Sequence, residues 1–265
     1  MKFSLDLKKS VEENASYYFD KSKKLKKKAQ GAKKAIEETK NKIKKRDKSD
    51  KQKELFKNVK QKDSSRTKNW YEKYKWFISS EGLLVVGGKD ANSNEDIIKK
   101  HMEPEDLVLH TLAPGSPFTL IKNSKKATKI TKKEAAEFTA TNSKAWSLGI
   151  SSLEAFVVKP NQVSKTAMSG EYVSKGSFMV TGKREIYKVS PNIGIGINKE
   201  NYIMHAPISA IKNNCESYVL LKQGHIKKEE MTKILMKLFQ TSKNEVFLSQ
   251  LPQGKFLIDK KVNLK

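Results

Sequence analysis

The first 62 residues constrain the fold of this chain most strongly. They hold 22 lysines and arginines against 9 acidic residues, no proline and a single glycine. Their apolar and small residues recur at alternating steps of four and three, a heptad spacing typical of a coiled coil. Because this seam contains several alanines and polar residues, it needs a partner helix. We predict a basic antiparallel helical hairpin over 5–46 and 52–75. The seam residues are Val11, Ala15, Tyr18, Ser22, Leu25, Ala29, Ala32, Ile36, Thr39 and Ile43.

The net charge of +25 on 265 residues favours a polyanionic partner, either nucleic acid or an anionic membrane surface. No apolar run approaches the roughly 18 residues that a membrane-spanning helix needs, and the first 30 residues lack the apolar core of a signal peptide. We therefore expect no membrane partner. Cys215 stands alone, so an internal disulfide is excluded and a reducing, cytoplasmic location is expected.

Beyond residue 69 the sequence predicts an α+β fold with a mixed sheet. Strand-like runs at 76–79 and 83–86 flank a loop that ends in Gly82, which is typical of a β-hairpin. Thr131 and Glu134 have capping-box spacing, which predicts a helix from there to about 148. The predicted domains are a coiled coil (1–62), a globular domain (63–190) and a small α+β accessory region (191–265). Further strands are predicted at 107–110, 119–122, 153–158, 177–180, 193–197, 202–205, 218–221 and 251–258, and a helix around 231–239.

The motifs of enzymes and metal sites are incomplete in this sequence. Gly88-Lys89 lacks the spaced first glycine and the following Ser or Thr of a phosphate-binding P-loop, and Asp90 would repel phosphate. The four histidines are not paired at metal-ligand spacing. We therefore predict no catalytic residue, no metal site and no cofactor.

Lysines and hydroxyl side chains are interleaved on predicted loops. The segment 162–184 alternates basic residues with serines and threonines, and such side chains contact phosphate and sugar without reading the base sequence. Trp70 and Tyr71 stand beside Lys68 and Lys73 and are candidates for base stacking. Trp76 and Phe77 lie inside a predicted strand, where core packing is the preferred interpretation.

Three long segments resemble the signature blocks of the NFACT-R domain family. They are KNWYEKYKWFISSEGLLVVGGKDANSNE (68–95), DLVLHTLAPGSPFTLIK (106–122) and QVSKTAMSGEYVSKGSFMVTGKR (162–184). The middle block is similar to archaeal members. The resemblance implies an RNA-binding α/β domain preceded by a coiled coil. Full-length family members bind large ribosomal subunits that carry a stalled, tRNA-linked chain, recruit tRNA and extend that chain without a template.

On this basis we expect an RNA-binding factor of ribosome-associated quality control, with large-subunit rRNA and tRNA as partners. Full-length members begin with an NFACT-N domain and a helix-hairpin-helix segment, whereas this sequence starts at the coiled coil. A separately encoded NFACT-N protein is therefore a possible partner, and a scaffold half or an RNA-modifying enzyme using 106–122 are the alternatives. The candidate RNA-binding residues are Lys68, Trp70, Tyr71, Lys73, Lys89, His110, Ser116, Lys122, Gln162, Lys165, Lys175, Ser177, Lys183 and Arg184.

Overall fold

The structure is a computed structural model that divides into two compact units, 1–66 and 67–265. It describes residues 4–5, 8, 10–33, 37, 39, 69–166, 174–198, 200, 202–241 and 243–264. Within these ranges, no helix combines the length and the apolar composition that crossing a membrane requires.

The first unit contains helix α1, which is helical throughout 11–33. Ser10 caps it, because its Oγ accepts from the Glu13 N–H at 3.2 Å while the Glu13 carboxylate accepts from the Ser10 N–H at 2.9 Å. Two seam residues, Val11 and Leu25, are 82% and 57% exposed. The turn and most of the predicted returning helix lie outside the described residues. Its predicted end is wrong, because Trp70–Lys73 is a short 3-10 helix and a strand begins at Lys75.

A six-stranded antiparallel sheet forms the centre of the second unit. Its spatial order is β1-β2-β4-β3-β5-β8, and every described pairing is antiparallel. The prediction of a mixed sheet is therefore corrected to antiparallel sheets in an α+β fold. Because β2 and β3 both pair antiparallel with β4, they run parallel to each other, and the connection between them crosses over the sheet past β4. The strands are β1 (Lys75–Ile78), β2 (Leu84–Gly87), β3 (Leu107–Thr111), β4 (Thr119–Ile121), β5 (Leu153–Val158) and β8 (Glu185–Val189).

The β1–β2 hairpin matches the sequence prediction. Gly82 has φ +80°, the left-handed conformation that favours glycine, and the Ser79 N–H donates to the Leu83 carbonyl at 2.8 Å. Trp76 and Phe77 are 3% and 0% exposed, so both are core residues, as the strand pattern indicated.

Helices pack on this sheet, but the predicted capping box is wrong. Helix α3 (Lys129–Thr141) begins earlier, with Thr128 as its cap, and a second short helix, α4 (Lys144–Leu148), follows it. Thr131 Oγ1 donates to Glu81 at 2.6 Å, and Glu134 accepts from the Ser80 N–H at 2.9 Å. Both residues therefore fasten α3 to the first hairpin. Helix α2 (Ala91–Asp96) and a π-helical turn (Ile97–His101) precede β3.

The C-terminal part forms a four-stranded antiparallel sheet in the order β10-β9-β11-β12. Its buried Cys215 is a free thiol whose pKa burial raises to about 12. A third, two-stranded sheet pairs β6 (Val163–Ser164) with β7 (Met179–Val180). The remaining elements are β9 (Ile193–Asn198), β10 (Ile203–Ala206), α5 (Ile208–Asn214), β11 (Cys215–Lys227), α6 (Lys228–Leu238), α7 (Asn244–Gln250) and β12 (Lys255–Val262).

A buried polar chain joins the two larger sheets. Lys75 Nζ on β1 donates to Asn142 Oδ1 at 2.6 Å, and Asn142 Nδ2 donates to His205 Nε2 at 3.1 Å. The other ring nitrogen of His205 donates to Gln250 Oε1 on α7 at 2.9 Å. Met204 and Ile211 from the C-terminal part also pack in the core of the six-stranded sheet. A domain boundary near 190 stays a prediction.

Candidate nucleic-acid interface

An open groove lies where loops from the three sequence blocks meet. Its volume is about 630 Å³, within the range of about 300–1,000 Å³ usual for ligand sites. One wall comes from the end of β2 and the start of α2, the second from the loop after β3, and the third from the segment around β7. Its lining residues include Lys89, Asn94, His110, Leu112, Ser116, Phe118, Asn142, Phe156, Lys175, Ser177, Phe178 and Arg184.

The first wall depends on the absence of a side chain at Gly88. The Gly88 N–H donates to the Phe118 carbonyl at 3.1 Å, and Asn94 Oδ1 accepts from the Phe118 N–H at 3.1 Å. A Cβ on Gly88 would lie 2.0 Å from Asn94 Oδ1, so only glycine permits this approach. Asp90 then caps α2, because its Oδ1 accepts from the Ser93 N–H at 2.8 Å. Gly-Gly-Lys therefore ends a hairpin and begins a groove wall.

The second wall is the loop Pro114–Phe118, which an internal hydrogen bond fixes. Ser116 Oγ accepts from the Thr111 N–H at 3.0 Å and is buried. The Gly115 carbonyl accepts from the Lys144 N–H at 3.0 Å, which ties this loop to the start of α4. The sequence predicted a direct RNA contact for Ser116. In the structure its hydroxyl shapes the loop, so we leave it out of the contact set.

The third wall, residues 174–178, is fastened to α2 by a charged pair. Lys165 Nζ lies 3.4 Å from Glu95 Oε2 and donates to the carbonyls of Ser174 and Ser177 at 3.0 and 3.1 Å. Glu95 also accepts from the Gly176 N–H at 3.1 Å. Hydrogen bonds from Lys99 and from the Gly176 backbone lower the pKa of Glu95 to about 2. Lys165 therefore positions the wall, and we leave it out of the set of phosphate contacts.

Three cations stand on the rim of the groove. Lys89, Lys175 and Arg184 are exposed, and each comes from a loop adjoining a different strand or helix. The Arg184 guanidinium lies 4.8 Å from the centre of the Phe156 ring and donates to the Val180 carbonyl at 2.9 Å. Burial of its amine end lowers the pKa of Lys89, although the residue as a whole is exposed. Such a rim suits the phosphates of a nucleic acid.

Aromatic rings line the interior. The His110 imidazole lies 4.5 Å from the Phe118 ring and 6.0 Å from the Phe156 ring, measured between centroids. Its Nδ1 lies 2.7 Å from the Thr111 carbonyl oxygen, so Nδ1 carries the proton and donates. Burial lowers the pKa of His110, with carbonyls of Thr111 and Ser116 acting in the opposite direction. The ring is therefore a neutral stacking surface at pH 7.

The groove brings together six of the fourteen predicted site residues. They are Lys89, His110, Ser116, Lys175, Ser177 and Arg184. Lys68 lies outside the described residues. The remaining seven, Trp70, Tyr71, Lys73, Lys122, Gln162, Lys165 and Lys183, do not line the groove.

Besides Lys165, two of those seven hold local structure through side-chain hydrogen bonds. Lys122 Nζ lies 2.6 Å from Asp106 Oδ2 and 3.2 Å from Glu103, with its side chain 11% exposed. Gln162 Nε2 donates to the carbonyls of Thr181 and Lys183 at 2.8 and 2.9 Å. Both side chains hold local structure, so we leave them out of the proposed interface. Lys183 is exposed.

The aromatic entry forms a separate surface. The ring of Trp70 stacks on His101 at 4.0 Å, and the tryptophan is 38% exposed. Tyr71 is half-buried against Trp76. Lys73 pairs with Asp96 at 3.2 Å, and Asp96 also pairs with Lys100. Because Asp96 offsets part of the charge of these two lysines, this surface is a weaker phosphate site than the groove.

Sequence reasoning missed the apolar lining of the groove. Leu112 is 46% exposed, whereas Phe118 and Phe156 are buried at its base, and Phe178 packs edge-on to Phe118 at 5.2 Å. Leu112 and Phe118 lie inside the block 106–122, but their spacing did not indicate which of the two side chains would face outward. Across the described ranges, no group of three or more His, Cys, Asp or Glu could hold a metal ion.

Residues 73–182 match the family model of the NFACT protein RNA binding domain. This segment is similar to the NFACT RNA-binding domain. The chain is 38% identical over 203 residues to the archaeal Rqc2 homolog aRqcH of Methanocaldococcus jannaschii, covering 74% of this chain and 30% of that protein. It is 36% identical over 176 residues to the ribosome quality control complex subunit NEMF of Homo sapiens, and the match covers 64% of this chain and 16% of that protein.

A further relative is the NEMF homolog of Drosophila melanogaster, 41% identical over 117 residues, covering 43% of this chain and 12% of that protein. The chain therefore spans less than a third of the length of each of these relatives. The family prediction is confirmed, including the similarity to an archaeal protein.

Proposed function

We propose that this protein is a cytoplasmic, non-enzymatic RNA-binding factor of ribosome-associated quality control, which binds the large ribosomal subunit and tRNA at stalled nascent chains. The observation that carries the proposal is the groove. Loops from all three family blocks converge there, and its rim holds Lys89, Lys175 and Arg184. A cationic rim around a partly apolar interior is suited to the backbone and bases of RNA.

The names of the relatives support the cellular context. The human relative is called the ribosome quality control complex subunit NEMF, and the Drosophila relative is called a homolog of that subunit. The archaeal relative is called an Rqc2 homolog. The basic helix α1, which contains the run KKLKKK (23–28), would add sequence-independent contacts to rRNA phosphates. A separately encoded NFACT-N protein remains a proposed partner.

Crosslinking the tagged protein to RNA in its native cells, followed by sequencing of the attached RNA, tests the cellular role. We expect crosslinks concentrated on large-subunit rRNA and tRNA. Crosslinks spread evenly over unrelated RNAs would contradict a role at stalled ribosomes.

A matched pair of variants tests the groove itself. The double charge reversal Lys175→Glu/Arg184→Glu removes two rim cations, and we expect weaker binding to purified large subunits. The control Lys212→Glu/Lys260→Glu makes the same charge change at exposed lysines that do not line the groove. Equal losses in both variants would show that only the total charge matters and would overturn the groove as the interface.

The alternative of an RNA-modifying enzyme depends on His110. Its ring lines the groove, and burial lowers its pKa, which would suit a general base. Replacing His110 by Gln separates the two functions. We expect RNA binding to weaken with the quality-control function reduced in proportion. Loss of cellular function with unchanged RNA affinity would favour the enzyme.

A further inference from the structure

The interior of the groove and its rim have different chemistry. The rim carries Lys89, Lys175 and Arg184, whereas the interior presents Leu112, Phe178 and the neutral imidazole of His110. Cations alone would be sufficient to bind a phosphate backbone, without any apolar interior. A partly apolar interior of this size, open to solvent beside those cations, suits a planar base attached to a phosphate.

The exposed Leu112 is the most informative of these side chains. It is 46% exposed at the groove, directly after β3, in a loop whose conformation Ser116 and Thr111 fix. The chain therefore holds a large apolar side chain in water at a place where the loop has little freedom to bury it. Leu112 and the edge-on pair of Phe118 and Phe178 together leave an apolar surface for a ligand.

We infer that the groove receives one unpaired nucleotide, whose base enters between Leu112, His110 and Phe178 while its phosphates contact Lys89, Lys175 and Arg184. This inference rests on the proposed RNA-binding function and names the class of RNA that the groove selects. A paired base hides both faces in its stack and cannot enter. An unpaired base in a loop or bulge exposes both faces to aromatic and apolar side chains.

The neighbouring aromatic entry is less suited to a base than the groove is. At the aromatic entry, Trp70 is already stacked on His101, and the lysines nearby are paired with Asp96. In the groove, the rim cations Lys89, Lys175 and Arg184 have no ion-pair partner among the described residues, and the exposed Leu112 lies in the same lining. The single base site therefore lies in the groove.

The test uses two RNA hairpins with identical stems, one with a single bulged 2-aminopurine and the other with that position paired. We expect the full chain to bind the bulged RNA about tenfold more tightly, which is the effect of stacking one base, and to change the 2-aminopurine fluorescence. Leu112→Ala should abolish that preference while leaving affinity for the paired hairpin unchanged. Leu148→Ala removes a leucine that is 70% exposed and outside the groove, so it should change neither affinity.

The outcomes separate this inference from the proposed function. Equal affinity of the wild-type chain for both hairpins, or an unchanged preference in the Leu112 variant, would overturn the base site while leaving RNA binding intact. If the folded chain binds neither hairpin nor the large subunit, the proposed function itself fails. Because Leu112 is exposed, its variant should fold, and a thermal melt of each variant verifies this.

Discussion

At the scale of single residues, charge alone does not identify an RNA contact. Lys122, Lys165 and Lys175 all looked alike in sequence, yet the first two pair with carboxylates and only Lys175 lines the groove. A lysine held by a buried carboxylate contributes to folding, because breaking such a pair leaves the other charge unpaired. A lysine on an open rim is available to phosphate.

Replacing Lys122 by Ala tests this distinction. It leaves Asp106, whose side chain is 0% exposed, with only the N–H groups of Glu103 and Asn123 as partners. We expect the free energy of unfolding to fall by about 3 kcal/mol, measured by urea denaturation, with RNA affinity unchanged at a temperature where the variant is folded. A stable variant with weakened RNA binding would return Lys122 to the interface.

A second residue-scale prediction concerns Gly176 in the third groove wall. Its φ is +77°, and an added Cβ would lie 2.5 Å from the Cα of Ala91, so Gly176→Ala should push residues 174–178 away from α2. Gly82 is the matched control, because it has φ +80° with open space around it. We expect Gly82→Ala to lower the free energy of unfolding by about 1–2 kcal/mol, because alanine is strained in the left-handed conformation.

Both glycine variants are measured for the free energy of unfolding and for RNA affinity. Gly176→Ala should lose more stability than Gly82→Ala and should also lose RNA affinity, which Gly82→Ala should keep. Equal effects of the two substitutions would mean that the third wall is not held against α2 in the way the structure describes.

At the scale of elements, the buried polar chain determines how the two larger sheets are joined. Asn142 caps α3 and connects Lys75 on β1 to His205 on β10. Burial lowers the pKa of His205 well below its ordinary value, and the positive charges of Lys75, Lys228 and Lys89 lower it further, while the Gln250 side chain acts in the opposite direction. His205 is therefore neutral in the folded protein at pH 7.

This buried neutral histidine predicts that the stability of the folded protein decreases as the pH falls. Below about pH 6.5 the unfolded chain protonates this histidine whereas the folded chain does not, so the unfolded state binds more protons and stability falls as the pH falls. One such proton changes the free energy of unfolding by at most about 1.4 kcal/mol per pH unit. Denaturation between pH 7.5 and 5.5 should show a shallower fall for His205→Gln than for wild type.

The exposed His225 provides the control for this experiment. His225→Gln should follow the wild-type pH dependence. If His205→Gln follows it as well, the neutral buried imidazole is not a source of acid sensitivity, and the polar chain does not have the protonation state that its hydrogen bonds indicate.

At the scale of the whole molecule, the +25 net charge predicts strongly salt-dependent binding. Six to ten phosphate contacts would reduce affinity by about 10³–10⁵ between 50 and 200 mM salt. Each phosphate contact to a single strand contributes about 0.7 to the slope of log affinity against log salt. Lys175→Ala/Arg184→Ala should therefore lower that slope by about 1.4, measured by titration at several salt concentrations.

The control Lys212→Ala/Lys260→Ala carries the same net charge as the groove variant. Its slope should stay near the wild-type value, because neither lysine lines the groove. A flat salt response of the wild-type chain would contradict phosphate contact altogether.

The sequence by itself determined the local structure of this protein. Short strand-like runs predicted strands β1 to β5, and glycine at position 82 predicted the first hairpin, because strand and turn preferences act over a few neighbouring residues. The three blocks also carried enough information to predict the match to the NFACT RNA-binding domain. The capping box at Thr131 failed because Glu81 and Ser80, about 50 residues away, bind the two side chains that formed the motif.

Only the tertiary structure decided which basic residues are available to RNA. The partner of Lys122 is 16 residues away, that of Lys165 is 70 residues away, and that of Lys75 is 67 residues away. Such pairings depend on how distant strands and helices pack, which no local pattern encodes. The same packing brings Lys89, Lys175 and Arg184 around one apolar groove, so a surface that is scattered along the sequence becomes one site in the fold.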